Sequence, residues 1–171
     1  MRRLWYLFAL VLAALLGLST TAVAAPPDHG RFPIEEHIAV LEPESSVCGF
    51  PISFDVSGQG TFQVFFGADG NPTGAHVLEV TSAELSANGI TLRARSANNR
   101  QYDFVENTLV ETGLVFQYQF PGAGVVLMDR GRLVWNIDPE TGEMVGEPVF
   151  EAGPHPQLHG EYGNLCAVLT P

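Results

Sequence analysis

The sequence predicts an all-β fold: a single antiparallel meander of about 8–9 strands, closed or nearly closed into a β-barrel. Three observations carry that expectation. From Cys48 onward apolar residues recur at every second position, the period of a strand with one buried face. Clusters of Gly, Asn, Asp and Pro separate these runs at short intervals, which favours hairpins over crossovers. The two cysteines, Cys48 and Cys166, flank the alternating region, and a bond between them would hold its first and last strands side by side. A β-sandwich is the alternative, because the phase of alternation is the same in both architectures.

Residues 1–24 read as a cleavable export signal. Arg2 and Arg3 form a positive start, Leu4 to Leu18 an apolar core, and Ala22-Val23-Ala24 the small-x-small pattern of a cleavage site. The apolar run, about 15 residues, is shorter than the ~20 that cross a bilayer core, so no stable membrane insertion is expected after cleavage. Residues 25–46 read as an acidic, Pro-rich N-terminal arm. There Ile34, Ile38 and Leu41 fall at helical spacing behind Pro33, allowing one short docked helix or a disordered tether.

The β domain is placed at 47–171. Cys48, Phe50, Ile52, Phe54 and Val56 share one parity, and Ser57-Gly58-Gln59-Gly60 reads as a tight turn into Phe62, Val64 and Phe66. After a loop at Gly67 to Gly74, strands are expected over His76–Ala83, Ile90–Arg95 and Tyr102–Phe104. Ser86-Ala87-Asn88-Gly89 and Asn98-Asn99 punctuate them. Leu114, Phe116, Tyr118 and Phe120 alternate with Val115, Gln117 and Gln119 as the clearest amphipathic strand. Val125–Met128, Leu133–Ile137, Met144–Phe150 and Leu158–Leu169 complete the set, with Asp129-Arg130-Gly131 as a turn or bulge and Asp138–Gly142 as a turn.

Composition narrows the function classes. The chain has 171 residues and a net charge of −11, and losing Arg2 and Arg3 with the leader makes the domain two units more acidic. Such a surface argues against nucleic acid and anionic lipid as partners. There is no Lys, which removes Schiff-base chemistry, the P-loop lysine and Ser-Lys dyads. In an oxidising compartment, Cys48 and Cys166 are expected to form a disulfide. The usual catalytic motifs are absent, and no cofactor is expected.

Three constellations remain. Asp69-Gly70-Asn71-Pro72-Thr73-Gly74 imitates the start of a calcium loop, but the twelfth position, which needs a bidentate Glu, is Val80, so a plain turn is expected. His155, His159 and Glu161 are weak metal candidates, because on an extended strand the two imidazoles stand about 13 Å apart. The presumed inner face carries Phe54, Phe62, Phe66, Phe104, Phe116, Tyr118, Phe120 and Trp135. Phe54, Phe66, Phe116, Tyr118 and Trp135 are its ligand-binding candidates, should the interior be a cavity rather than packed core. Asp55, Asp103, Glu106 and Glu111 offer acid–base groups with no spacing that makes them converge.

Cys48-Gly49-Phe50-Pro51-Ile52, Arg130-Gly131-Arg132, Gly153-Pro154-His155 and Leu165-Cys166 together resemble short secreted β-rich proteins of high-GC Gram-positive bacteria. That resemblance implies an extracellular location and the Cys48–Cys166 bond, and it transfers no activity or site. The expectation is a secreted or envelope-associated binding domain, more an interaction module than an enzyme. Its partner would be an extracellular protein or a small apolar ligand. A cyclase- or isomerase-type barrel enzyme, using Tyr102, Tyr118 or His76, is the alternative.

Overall fold

Seven antiparallel strands follow one another in sequence order across one sheet. They are β1 (Asp28–Ile38), β2 (Ser53–Phe66), β3 (Pro72–Ala87), β4 (Ile90–Asp103), β5 (Thr108–Phe120), β6 (Gly124–Ile137) and β7 (Met144–Ala152). Among the described residues there are also two short helices, α1 (Glu44–Cys48) and α2 (Gly163–Leu169). The structure, a computed structural model, describes residues 26–122 and 124–170; the leader expected at 1–24 lies outside them. The fold is all-β as expected, with seven strands rather than 8–9, and hydrogen bonds do not close the sheet into a barrel.

The strand count falls because three expected breaks are not breaks. Ser57–Gly60 is the middle of β2, paired with β1 on one side and β3 on the other. Its glycines answer crowding rather than a turn. A Cβ on Gly58 would lie 2.3 Å from the Val80 carbonyl oxygen, and one on Gly60 would lie 2.0 Å from the Phe32 ring. Likewise β4 runs through Asn98-Asn99: Asn98 points inward, and the Asn99 carboxamide oxygen meets His76 Nε2 at 2.6 Å. β6 runs through Asp129-Arg130-Gly131, with Asp129 buried.

The ends of the chain also depart from expectation. The short helix or tether expected within the arm is replaced by strand β1 over residues 28–38, paired with β2 along its whole length, while residues 44–46 open α1. Phe32, Ile34 and Ile38 are half-buried on one parity, and an 11-residue ladder outweighs an isolated short helix, which is marginal in water. The segment expected as a last strand instead contains α2, where Leu165 and Leu169, one helical turn apart, are both fully buried. Cys48 and Cys166 are disulfide-bonded, with Cα atoms 5.1 Å apart, but the bond joins α1 to α2 and not two strands.

The main core lies at one end of the sheet. Ile52, Phe54, Leu85, Leu92, Tyr118 and Leu127 pack there against Tyr162, Leu165 and Leu169. The β3–β4 hairpin turns at Asn88-Gly89, with φ of 53° and 80°, the left-handed pair of a two-residue turn. Asn88 Nδ2 then donates to the Leu169 carbonyl at 2.9 Å, fastening α2 to that hairpin. The edge strands β1 and β7 carry Pro33 and Pro148 with flanking charges, the features that discourage edge-to-edge pairing.

Because the Gly58 position abuts backbone, Gly58→Ala must push β2 and β3 apart. It should cost about 2 kcal/mol by urea unfolding, whereas Ser57→Ala, on the exposed face, should change stability by less than ~0.5 kcal/mol.

Candidate functional site

Strand register brings polar residues together on the inward face. Thr81 pairs with Ser96, Glu79 with Asn98, and Arg100 with Glu111, so β3, β4 and β5 carry a continuous polar belt beside the apolar core. Arg100 Nη1 lies 3.1 Å from Glu79 Oε2, and Nε lies 3.1 Å from Glu111 Oε1. Asn98 Nδ2 also donates to Glu111 Oε1, and its own carboxamide oxygen is buried without a partner. Burial acts to lower the Arg100 pKa, but Glu79 and Glu111 more than reverse this and hold the guanidinium above its ordinary range.

Over this belt lies a cavity of about 320 Å³. Ile34, Ile38, Phe54, Val56 and Phe116 form its apolar wall; Glu44, Glu79, Asn98, Arg100, Tyr118 and Gln157 form its polar wall. β1 and β5 are four strand steps apart, about 19 Å in a flat sheet. Both line the same cavity, so the sheet is strongly curled here. A bulge between Leu114 and Phe116 turns Val115 into the cavity beside Phe116.

The segment after β7 closes one side. Asp129, 3% exposed, accepts hydrogen bonds through both oxygens: His155 Nδ1 at 2.8 Å and the Gln157 backbone N–H at 3.3 Å. The Arg130 N–H donates to the Pro154 carbonyl at 3.0 Å. A bare Gly131 is required at this crossing, since a Cβ would lie 2.1 Å from the Ala152 carbonyl oxygen. The segment so held delivers Gln157 Nε2 between Glu44 Oε1 (3.2 Å) and the Tyr118 hydroxyl (3.3 Å). Tyr162 donates its hydroxyl to the Gln157 carbonyl, fixing that residue from the other side.

All three described tyrosines are held above the ordinary phenol range, burial being the largest cause in each. Tyr162 is pushed up to about 12. At Tyr118 the nearby Glu44 carboxylate adds to the effect, and the Gln157 hydrogen bond opposes it.

Of the expected ligand-binding residues, the structure assembles three. Phe54 and Phe116 meet edge-to-face at 5.6 Å, Phe116 stacks on Tyr118 at 5.8 Å, and all three line the cavity. Phe66 lies at the far end of β2 opposite Pro72, and Trp135 pairs with Leu109 away from the cavity. The weak metal candidates disperse: His155 is buried against Asp129, exposed His159 meets Glu151 at 2.8 Å, and Glu161 is exposed. Among the described residues no group of three His, Cys, Asp or Glu is arranged to hold a metal. The Asp69 carboxylate bonds Asn71 within its turn. Asp55 pairs with exposed His37, and Asp103 caps the β4–β5 turn through the N–H groups of Val105 and Glu106. Glu111 alone of the four acid–base candidates joins the site.

Glu44, Glu79, Asn98, Arg100, Asp129 and Gln157 were not among the expected site residues. For Glu79, Asn98 and Arg100 a signal existed: each is a polar residue on the parity that its strand otherwise turns inward. A second hollow, about 710 Å³, lies on the outer face near His37, Asp55, Glu84 and Arg93. It is wide and open, and the His37–Asp55 pair in it is well over half exposed, so its polar groups are already solvated. No family model matches the chain, and neither a curated protein nor a solved structure does.

Two outcomes follow from the polar belt and the buried phenols. Arg100→Leu leaves Glu79 and Glu111 without their cation and should lower stability by about 3 kcal/mol in urea unfolding. Tyr102, Tyr118 and Tyr162 keep their protons in the folded state beyond the pH at which the unfolded chain loses them. Stability should therefore be intact below about pH 10 and decline as pH rises through about 12. Absorbance at 295 nm should show native phenolate formation delayed relative to the protein in guanidinium.

Proposed function

We propose that the chain is a secreted binding protein, a rolled sheet acting as an open barrel, that holds one small organic molecule in the cavity of its inner face. The carrying observation is the cavity itself. Phe54, Phe116 and Val56 offer an apolar wall, and a few convergent polar groups face them across a volume of about 320 Å³. That is the usual make-up of a small-ligand site, at the lower end of its size range. The ligand is therefore compact, with an apolar body and one polar end. The disulfide between α1 and α2 suits an oxidising location, and among the described residues no helix is long and apolar enough to cross a membrane. Tyr118 and Glu44 also place ionisable groups beside the ligand space, which an isomerase-type reaction would need.

Fluorescence titration with 1-naphthalenemethanol tests the binding reading, using the full chain as recovered from a secretion host. One saturable site is expected, with affinity reduced at least tenfold by Val56→Phe, which fills the cavity wall, and unaltered by Leu78→Phe on the exposed outer face. Circular dichroism of both variants checks the fold. Binding that survives Val56→Phe, or no saturable binding of this alcohol or of its amine and carboxylate analogues, would overturn the proposal.

A further inference from the structure

We infer that the cavity selects an organic cation, a compact apolar amine, with Glu44 as its counter-ion. This rests on the cavity being a ligand site. Glu44 is 4% exposed and lines the cavity, yet no Arg or His lies within ion-pair reach of it among the described residues. Oε1 accepts one neutral hydrogen bond from Gln157, and Oε2 is shut off from water with no partner at all. A carboxylate removed from water and left unpaired is among the costlier arrangements in a folded protein. An ammonium group entering the cavity supplies the missing charge beside the Glu44 carboxylate.

The surroundings favour the same ligand. Three carboxylates, Glu36, Glu44 and Glu79, line the cavity against one guanidinium, and Arg100 is already engaged by Glu79 and Glu111. Among the described residues lining the cavity, no free cation is left to receive an anionic ligand. The Gln157 amide links Glu44 to Tyr118, whose ring stacks with Phe116, while Phe54 meets Phe116 edge-on. The ammonium would thus meet a carboxylate beside the half-buried Phe116 ring, and a cation near an aromatic ring is attracted by its π-system. The apolar wall of Ile34, Ile38 and Val56 would take the hydrocarbon body.

Three probes with one naphthyl skeleton separate the possibilities: 1-naphthylmethylamine, 1-naphthalenemethanol and 1-naphthoate, titrated at ~150 mM salt to screen the acidic surface. The amine should bind at one site at least tenfold more tightly than the alcohol, and the naphthoate most weakly. Glu44→Gln should reduce the amine-to-alcohol preference to within twofold, and Glu44→Asp should restore part of it. Val56→Phe should block the amine, which distinguishes the cavity from loose attraction to the surface. Should Glu44→Gln fail to fold, the preference in the unaltered protein and in Glu44→Asp still decides. Equal or tighter binding of the alcohol, amine binding that survives Val56→Phe, or a preference that survives Glu44→Gln overturns this inference alone. Failure of all three probes overturns the ligand-site reading with it.

Discussion

The buried carboxylate of Asp129 is the pin on which the site depends. One oxygen takes the His155 ring and the other the Gln157 backbone, so 28 residues of separation collapse onto one side chain of β6. Without it, the segment leaving the short, exposed edge strand β7 has little to hold it over the inner face. With it, Gln157 enters between Glu44 and Tyr118, and the chain continues through Tyr162 into α2. The Cys48–Cys166 bond then joins α2 to α1, the helix that carries Glu44. The cavity wall is thereby built from residues 113 apart in sequence that share no strand pairing.

Curvature is the second requirement, and it comes from small features rather than from closure. Bulges interrupt the ladder at Arg95/Ala97 and at Leu114/Phe116, where β4 and β5 pass the cavity. Bulges bend the strand that bears them and sharpen local twist. The bare Gly58 and Gly60 of β2 let β1 and β3 approach closely on the opposite wall. The sheet curls enough for β1 and β5 to face one space while its hydrogen bonding stays open at β1 and β7. An apolar core at one end, capped by two helices, keeps this shape without a closing strand pair.

Much of the strand pattern was legible. Alternation in β2 and β5 placed Phe54, Phe116 and Tyr118 on the presumed inner face, and the structure joins them. The two-residue turn at Asn88-Gly89 was equally plain, because left-handed backbone there selects those residue types. The errors have a common source. Gly58, Gly60 and Gly131 looked like turn residues, but they are glycine because neighbouring backbone or ring atoms occupy the place of a Cβ. A local pattern carries no record of what packs against it. The arm misled for a related reason: helical spacing in 34–41 lost to a ladder that only β2 provides.

By itself the sequence determined the all-β class, the alternating faces, the acidic character and the identity of the one cysteine pair, because each follows from local periodicity or simple counting. Only the tertiary structure decided the seven-strand order, the curl that makes a cavity, and the meeting of Glu44, Tyr118, Asp129 and Gln157. The physical reason is range. Periodicity reports which face of an element avoids water, whereas a polar site is made by contacts between distant segments. Among these, only the inward parity of Glu79, Asn98 and Arg100 left any trace along the chain.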